Sequence, residues 1–154
     1  SNKLSFESLK IQNIFIISDK GTKSLSSALN NSAVWASKKN YNVLCIFPSD
    51  LQNPKIKDLK NFLSPPYIQN EMRICPSIDL GTNAMLVSPP DLIKFNYGKR
   101  SFDNHIKIAN QKGFKTSIIK LHSLTLDIDG EHDFKQACLN MDKISKLDFP
   151  SIIK

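Results

Sequence analysis

Short apolar runs closed by turn residues alternate along this chain with stretches whose apolar positions recur every three or four residues. That is the pattern of buried strands alternating with amphipathic helices. Residues 11–18 form a β-branched apolar run followed by Asp19-Lys20-Gly21, a strand and its turn. From Ser24 the positions Leu25, Ala28, Leu29, Ser32, Ala33 and Ala36 trace one helix face to about Lys38, and Asn40 marks the exit. Residues 41–47 predict a second buried strand, and the short links of this strand, helix, strand unit predict parallel pairing. Asn53-Pro54 supplies a cap and a first helical position for a helix burying Ile56, Leu59, Phe62 and Leu63, which Ser64-Pro65-Pro66 ends. Residues 73–76 and 83–87 follow as strands, joined by a loop through Asp79-Leu80-Gly81-Thr82. Past Pro89-Pro90 an irregular stretch leads to Ser101, the expected cap of a helix over Phe102, His105, Ile106 and Ala109, with Gly113 as its left-handed terminator. Residues 114–121 read as a strand, residues 126–129 as another extended stretch. A last helix opens after Gly130, with Glu131 and Asp133 at its positive end, and buries Phe134, Ala137, Cys138, Met141 and Ile144. The fold class expected is therefore α/β, a three-layer sandwich with a mainly parallel mixed sheet and its site at the strand ends. Residues 1–146 form the single domain and 147–154 a tail.

Composition narrows the partners only a little. The 154 residues, 40% hydrophobic and 23% charged, suit one globular domain with a real core. The net charge of +7 comes from scattered Lys and favours anionic ligands, as well as plain solubility. No zinc-finger spacing, RNA-recognition aromatic motif or Arg-rich helix is present, so nucleic acid is not an expected partner. No run approaches the roughly 18 apolar residues of a membrane span, and the start lacks a charged-then-apolar signal pattern. Cys45, Cys75 and Cys138 are odd in number and widely spaced, as expected of buried thiols in a reducing cytoplasm.

The chemistry resides in carboxylates. Residues two apart on an extended strand share a face, so Asp127 and Asp129 can converge on one cation while Leu126 and Ile128 face the core. Asp50 follows the apolar run 43–47, where a buried strand opens into a loop. Three such carboxylates suit Mg²⁺ serving a phosphate substrate, because this hard cation takes oxygen ligands and leaves positions for phosphate and water. That makes the chain a candidate phosphoryl- or nucleotidyl-transfer domain. Other polar residues have plainer readings: His105, His122 and His132 lack metal spacing, Trp35 packs the first helix, and Lys99 and Arg100 are exposed bases beside a helix start.

Four motifs in order, Pro48-Ser49-Asp50-Leu51, Gly81-Thr82-Asn83-Ala84-Met85-Leu86, Tyr97-Gly98-Lys99-Arg100-Ser101-Phe102 and Leu126-Asp127-Ile128-Asp129, carry a resemblance. From about Ile11 to Asp133 the chain resembles the 2-phospho-L-lactate or phosphoenolpyruvate guanylyltransferase family (CofC or FbiD) of coenzyme F(420) biosynthesis. These are GT-A-like, MobA-related members of the nucleotide-diphospho-sugar transferase class. The resemblance implies transfer of GMP from GTP to a phosphorylated small acid. It implies that Asp50, Asp127 and Asp129 hold Mg²⁺ and that Thr82, Gly98 and Ser101, helped by Gly81 and Asn83, bind 2-phospholactate or phosphoenolpyruvate. Ser101 would sit at a helix start with the dipole behind it, and Gly98 would let backbone approach the anion.

The chain also departs from that family. Its opening strand and Lys-containing nucleotide loop have no counterpart here, although a strand, helix, strand unit alone takes roughly 30 residues. The fold implied is therefore one shortened at its N-terminus. The family's Gly-Leu-Asn before the first helix is replaced by Ser24-Leu25-Ser26. An alternative function follows: a non-catalytic module that binds a phosphorylated metabolite or supports a partner enzyme, having lost the nucleotide half. An unpaired sheet edge would then favour a homodimer or a partner that completes the sheet.

Overall fold

The structure, a computed structural model, describes residues 17, 21–128, 130, 131, 134 and 135. Helix α1 (Leu25–Lys38) opens at Ser24, whose hydroxyl accepts the Ser27 N–H at 3.2 Å. Strand β1 (Leu44–Ile46) follows, then α2 (Ile56–Phe62), β2 (Glu71–Pro76), β3 (Thr82–Ser88), α3 (Ser101–Lys112), β4 (Lys115–Ile118) and a 3₁₀ turn at His122–Leu124. The first expected strand, residues 11–18, lies outside the described residues apart from Ile17.

The strands lie in the order β1-β3-β2-β4. Contrary to the mainly parallel expectation, β3 runs antiparallel to both β1 and β2, and only β2 and β4 are parallel. The reason is local. The link from β2 to β3 spans Ser77 to Gly81, far too short for the crossover that parallel neighbours need. It closes as a hairpin in which the Asp79 carboxylate accepts the Ser77 hydroxyl and, at 3.1 Å, the Gly81 N–H. These two bonds hold Asp79 below the usual carboxylate range, the Ser77 hydroxyl contributing most. A side chain at Gly81 would bring its Cβ to 2.6 Å from Ser77 Oγ, so this glycine serves the turn itself.

Helices cover both faces, as a three-layer sandwich requires. On one face Met72, Ile74, Met85 and Val87 pack with Ala33 and Leu29 of α1 and with Phe102, Ile106 and Ala109 of α3. On the other, Cys75, Ala84 and Leu86 meet Leu59 and Phe62 of α2 and Leu124 of the 3₁₀ turn. The alternation 84/86 against 85/87 is the period of a strand buried on both sides.

Several boundaries differ from expectation. Helix α2 starts at Ile56 after Lys55 instead of at Asn53-Pro54, and the Lys55 N–H is held by the Ser123 hydroxyl at 3.1 Å. Its expected stripe is narrower, with Phe62 buried and Ile56 70% exposed. Helix α3 is preceded by Arg100 in left-handed conformation, and Ser101, expected as its cap, is instead its first residue and is buried. Gly113 ends it left-handed, as expected. Around Gly130 one turn is described, with Phe134 N–H bonded to Gly130 at 3.0 Å and Phe134 exposed; Ala137, Cys138, Met141 and Ile144 lie outside the described residues. No described helix is long and apolar enough to cross a membrane.

A buried ion pair ties α2 to the sheet. Arg73 and Glu71 on β2 lie 3.4 Å apart. The guanidinium also donates to the carbonyls of Phe62, Ser64 and Pro66, and Tyr67 covers it with its ring centroid 5.7 Å away. Removing one partner of such a pair strands the other charge, so Arg73→Ala should lose roughly 3–5 kcal/mol of stability in urea unfolding. A loss below about 1 kcal/mol would show the pair to be dispensable.

Candidate functional site

The register places the carboxyl ends of β1, β2 and β4 and the amino end of β3 at one end of the sheet. The turn carrying Asp50 leaves β1 there, Thr82 begins β3 there, and the chain after β4 returns there through Leu124. Each predicted motif therefore reaches the same sheet end or a loop beside it.

Thr82 and Ser101 meet directly. The Ser101 hydroxyl donates to Thr82 Oγ1 at 3.0 Å, and His105 Nδ1 lies 3.2 Å from the same oxygen. A β-bulge makes this contact. Cys75 pairs with Ala84 and Pro76 with Thr82, so Asn83 is the extra residue and the strict alternation of faces breaks at that point. His105 is fully buried, and its Nε2 accepts the backbone N–H of Asn96 at 3.0 Å. A neutral ring that accepts at Nε2 carries its proton on Nδ1, so His105 donates to Thr82. Tyr97 flanks the ring edge-on at 5.1 Å. Burial pushes the imidazole down to about 4 and also raises the Tyr97 phenol.

Helix α1 holds the loop that leads to Gly98. Asn30 accepts the Phe95 N–H at 2.8 Å and donates to its carbonyl at 3.1 Å; Ser26 does the same for Tyr97 at 2.8 and 3.3 Å. Two side chains four apart on a helix face thus mimic a neighbouring strand for an extended segment. Gly98 itself adopts φ +132, a backbone conformation that L side chains rarely take. Beyond it, the N–H groups at the start of α3 are already engaged, Ser101 with Gly98 O at 3.0 Å and Phe102 with Leu80 O at 3.1 Å.

The acidic segments also come together. Leu51 and Asp127 form a single antiparallel bridge, with Gln52 N–H on Leu126 O and Ile128 N–H on Asp50 O, both at 2.9 Å. Leu51 stands directly across from Asp127, and Asp50 across from Ile128, one position along. Asp50 is exposed and Asp127 half-buried, while Leu51 packs against the cluster of Phe62, Cys75, Ala84, Leu86 and Leu124. Asp129 lies outside the described residues. Among the described residues no three His, Cys, Asp or Glu side chains are grouped to hold a metal ion. Asp50 also lines a cleft of about 370 Å³ with Ser49, Pro48, Phe47, Tyr97 and Leu25.

A family model described as "Guanylyl transferase CofC like" matches residues 3–149. The chain belongs to this CofC-like guanylyl transferase family. It is 30% identical over 115 residues to a 3-phospho-D-glycerate guanylyltransferase of Colwellia psychrerythraea, covering 75% of this chain and 55% of that protein. It is 29% identical over 111 residues to a 2-phospho-L-lactate guanylyltransferase of Methanocella arvoryzae, covering 72% of this chain and 48% of that protein. A phosphoenolpyruvate guanylyltransferase of Conexibacter woesei is 38% identical over 53 residues, 34% of this chain and 24% of its own. The chain spans about half the length of the first two of these relatives.

For this CofC-like chain the structure joins Thr82 to Ser101 and the backbone of residues 50–52 to that of residues 126–128. Gly81 and Asn83 flank Thr82, and Gly98 accepts the Ser101 N–H. Reading residues one at a time missed His105, Asn96, Ser26 and Asn30, which hold these loops without being motif members. The signal available for the last two was their spacing of four on the apolar side of α1. Cys45 and Cys75 are free thiols, Cys45 being raised to about 12 by burial.

The buried imidazole has a consequence for stability. The unfolded chain takes up the His105 proton near pH 6.5, the folded chain only near 4. Stability from this group is therefore complete above pH 6.5 and drains as pH falls toward 4, by at most roughly 3 kcal/mol. Unfolding of wild type and His105→Gln across that range checks it: the wild type should lose more stability on acidification, and parallel curves would contradict the neutral buried ring.

Proposed function

We propose that this chain carries the acceptor and metal side of a guanylyltransferase that moves GMP from GTP to a phosphorylated small carboxylic acid. The observation that carries this reading is the junction of the 50–52 and 126–128 segments at the sheet end where Thr82 contacts Ser101, in a chain matched by the family over residues 3–149. The relatives named for 3-phosphoglycerate, 2-phospholactate and phosphoenolpyruvate act on acids that share a phosphate close to a carboxylate. Such an acid would be bound by Thr82, Gly98 and Ser101, with Gly81 and Asn83 beside them.

In the reaction, an oxygen of the acceptor phosphate forms a bond to the α-phosphorus of GTP. The bond from that phosphorus to the bridging oxygen breaks, and pyrophosphate leaves with the electron pair. No covalent link to a protein side chain is required, so the residues named here bind and orient. Asp127 and Asp129, two apart in the chain, suit a hard divalent cation, Mg²⁺ in this reading, because their donors are carboxylate oxygens, and Asp50 would join them from across the edge of the Leu51–Asp127 bridge. When bound, that cation offsets phosphate charge. The largely apolar cleft lined by Asp50 and Tyr97 would border the acid.

A second reading is a non-catalytic module of the cytoplasm that binds a phosphorylated metabolite or supports a partner enzyme. Pyrophosphate release from GTP by this chain would exclude it. The leading reading is tested by isothermal titration of Mg²⁺ with phosphoenolpyruvate into wild type and Asp127→Asn. Binding should weaken about tenfold or more in the variant; equal binding, or none in either protein, contradicts the site.

A further inference from the structure

The hydrogen-bond count around Thr82 goes further than the assignment of an acceptor wall. His105 Nε2 is filled by the Asn96 N–H, so its Nδ1–H must donate, and Thr82 Oγ1 is the acceptor it reaches at 3.2 Å. Ser101 spends its hydroxyl hydrogen on the same oxygen at 3.0 Å. Both acceptor positions of Thr82 Oγ1 are then occupied, and its own hydrogen has no acceptor among the described residues. The next residue carries a second donor in the same condition: Asn83 is 3% exposed, and its Nδ2 is the buried side-chain nitrogen without a partner among the described residues. An unmade buried donor costs about 1–3 kcal/mol, so two adjoining ones are an expensive feature unless a ligand completes them. The β-bulge sets these neighbours together opposite Pro76, and bulges beside binding sites re-aim side chains in this way.

We propose that His105 is a positioning residue: by donating to Thr82 Oγ1 it turns the Thr82 hydroxyl hydrogen away from the protein, and this hydrogen and Asn83 Nδ2–H together read an anionic oxygen of the acceptor acid. Ser101 takes part by filling the other acceptor position of Thr82 Oγ1. This inference rests on the acceptor-site reading above and narrows it to two donors and the ring that orients one of them. It also gives the Phe95-Asn96-Tyr97 loop a part, since the Asn96 N–H selects the ring tautomer. Helix α1 fixes that N–H through the Asn30 and Ser26 bonds on either side of it.

The test is phosphoenolpyruvate affinity in the presence of Mn²⁺, with Mn²⁺ affinity alone as the internal reference. Thr82→Val keeps the shape and removes the donor; it should weaken the acid at least tenfold, and Thr82→Ser should restore it. His105→Asn, which replaces the Nδ1–H with an amide N–H, should stay within about threefold of wild type, whereas His105→Leu should fall with Thr82→Val. Asn83→Ala should also lose the acid about tenfold. Mn²⁺ alone should bind all of them as it binds wild type, which a general loss of structure would not allow. Wild type binding the acid while His105→Leu, folded by its amide spectrum, binds it equally well overturns the inference and leaves the acceptor-site reading standing. A wild type that binds Mn²⁺ but no phosphorylated acid overturns both.

Discussion

The two hydrogen bonds of the His105 ring are the constraint on which the upper part of the site depends. A fully buried imidazole is tolerated only when each nitrogen has a partner, and here the partners lie on different pieces of chain. The ring on α3 joins the start of β3 to the 95–97 loop, and that loop is joined in turn to α1 by Asn30 and Ser26. Three elements distant in the chain are thereby held in one register. The position of Gly98 and the start of α3 follow from it, because Ser101 is bonded both to Gly98 and to Thr82.

The lower part is organised by packing. Leu51 enters the core formed by Phe62, Cys75, Ala84, Leu86 and Leu124, and its backbone neighbours pair with the 126–128 segment. A carboxylate-bearing turn is thus anchored by the apolar residue beside it, so Asp50 remains exposed without the loop being loose. At the far end, the Arg73–Glu71 pair does the comparable work for the 62–68 loop, where the guanidinium satisfies three carbonyls that the prolines Pro65 and Pro66 leave without a regular ladder. Each end of the sheet is therefore closed by a different device, one neutral and one ionic.

Much of this was legible beforehand. The three- and four-residue spacing from Leu25 and the terminator Gly113 marked two helices, and the apolar runs marked the strands. Strand direction was legible only in part: the alternating pattern suggests parallel units, as β2 and β4 are, whereas the Ser77 to Gly81 link requires the β2–β3 hairpin. The four motifs located the loops of the candidate site, since Gly98 and Asp50 announce themselves by residue type. What supports those loops did not: a lone His on a helix and a Ser and Asn within an apolar stripe have no signature until the fold brings backbone N–H groups to them. The bulge at Asn83 was equally hidden, because it depends on how β2 and β3 align and not on either strand alone.

The central claim is that the turn at Asp50, the loop at Gly98 and the segment at Asp127 border one ligand site. Paramagnetic broadening of backbone amide signals by Mn²⁺, added up to one equivalent, measures it most directly. Signals from residues 49–51, 98–101 and 127–128 should broaden together and saturate at a single bound ion. Broadening confined to one of these loops, or spread over unrelated surface carboxylates with no common end point, would contradict it.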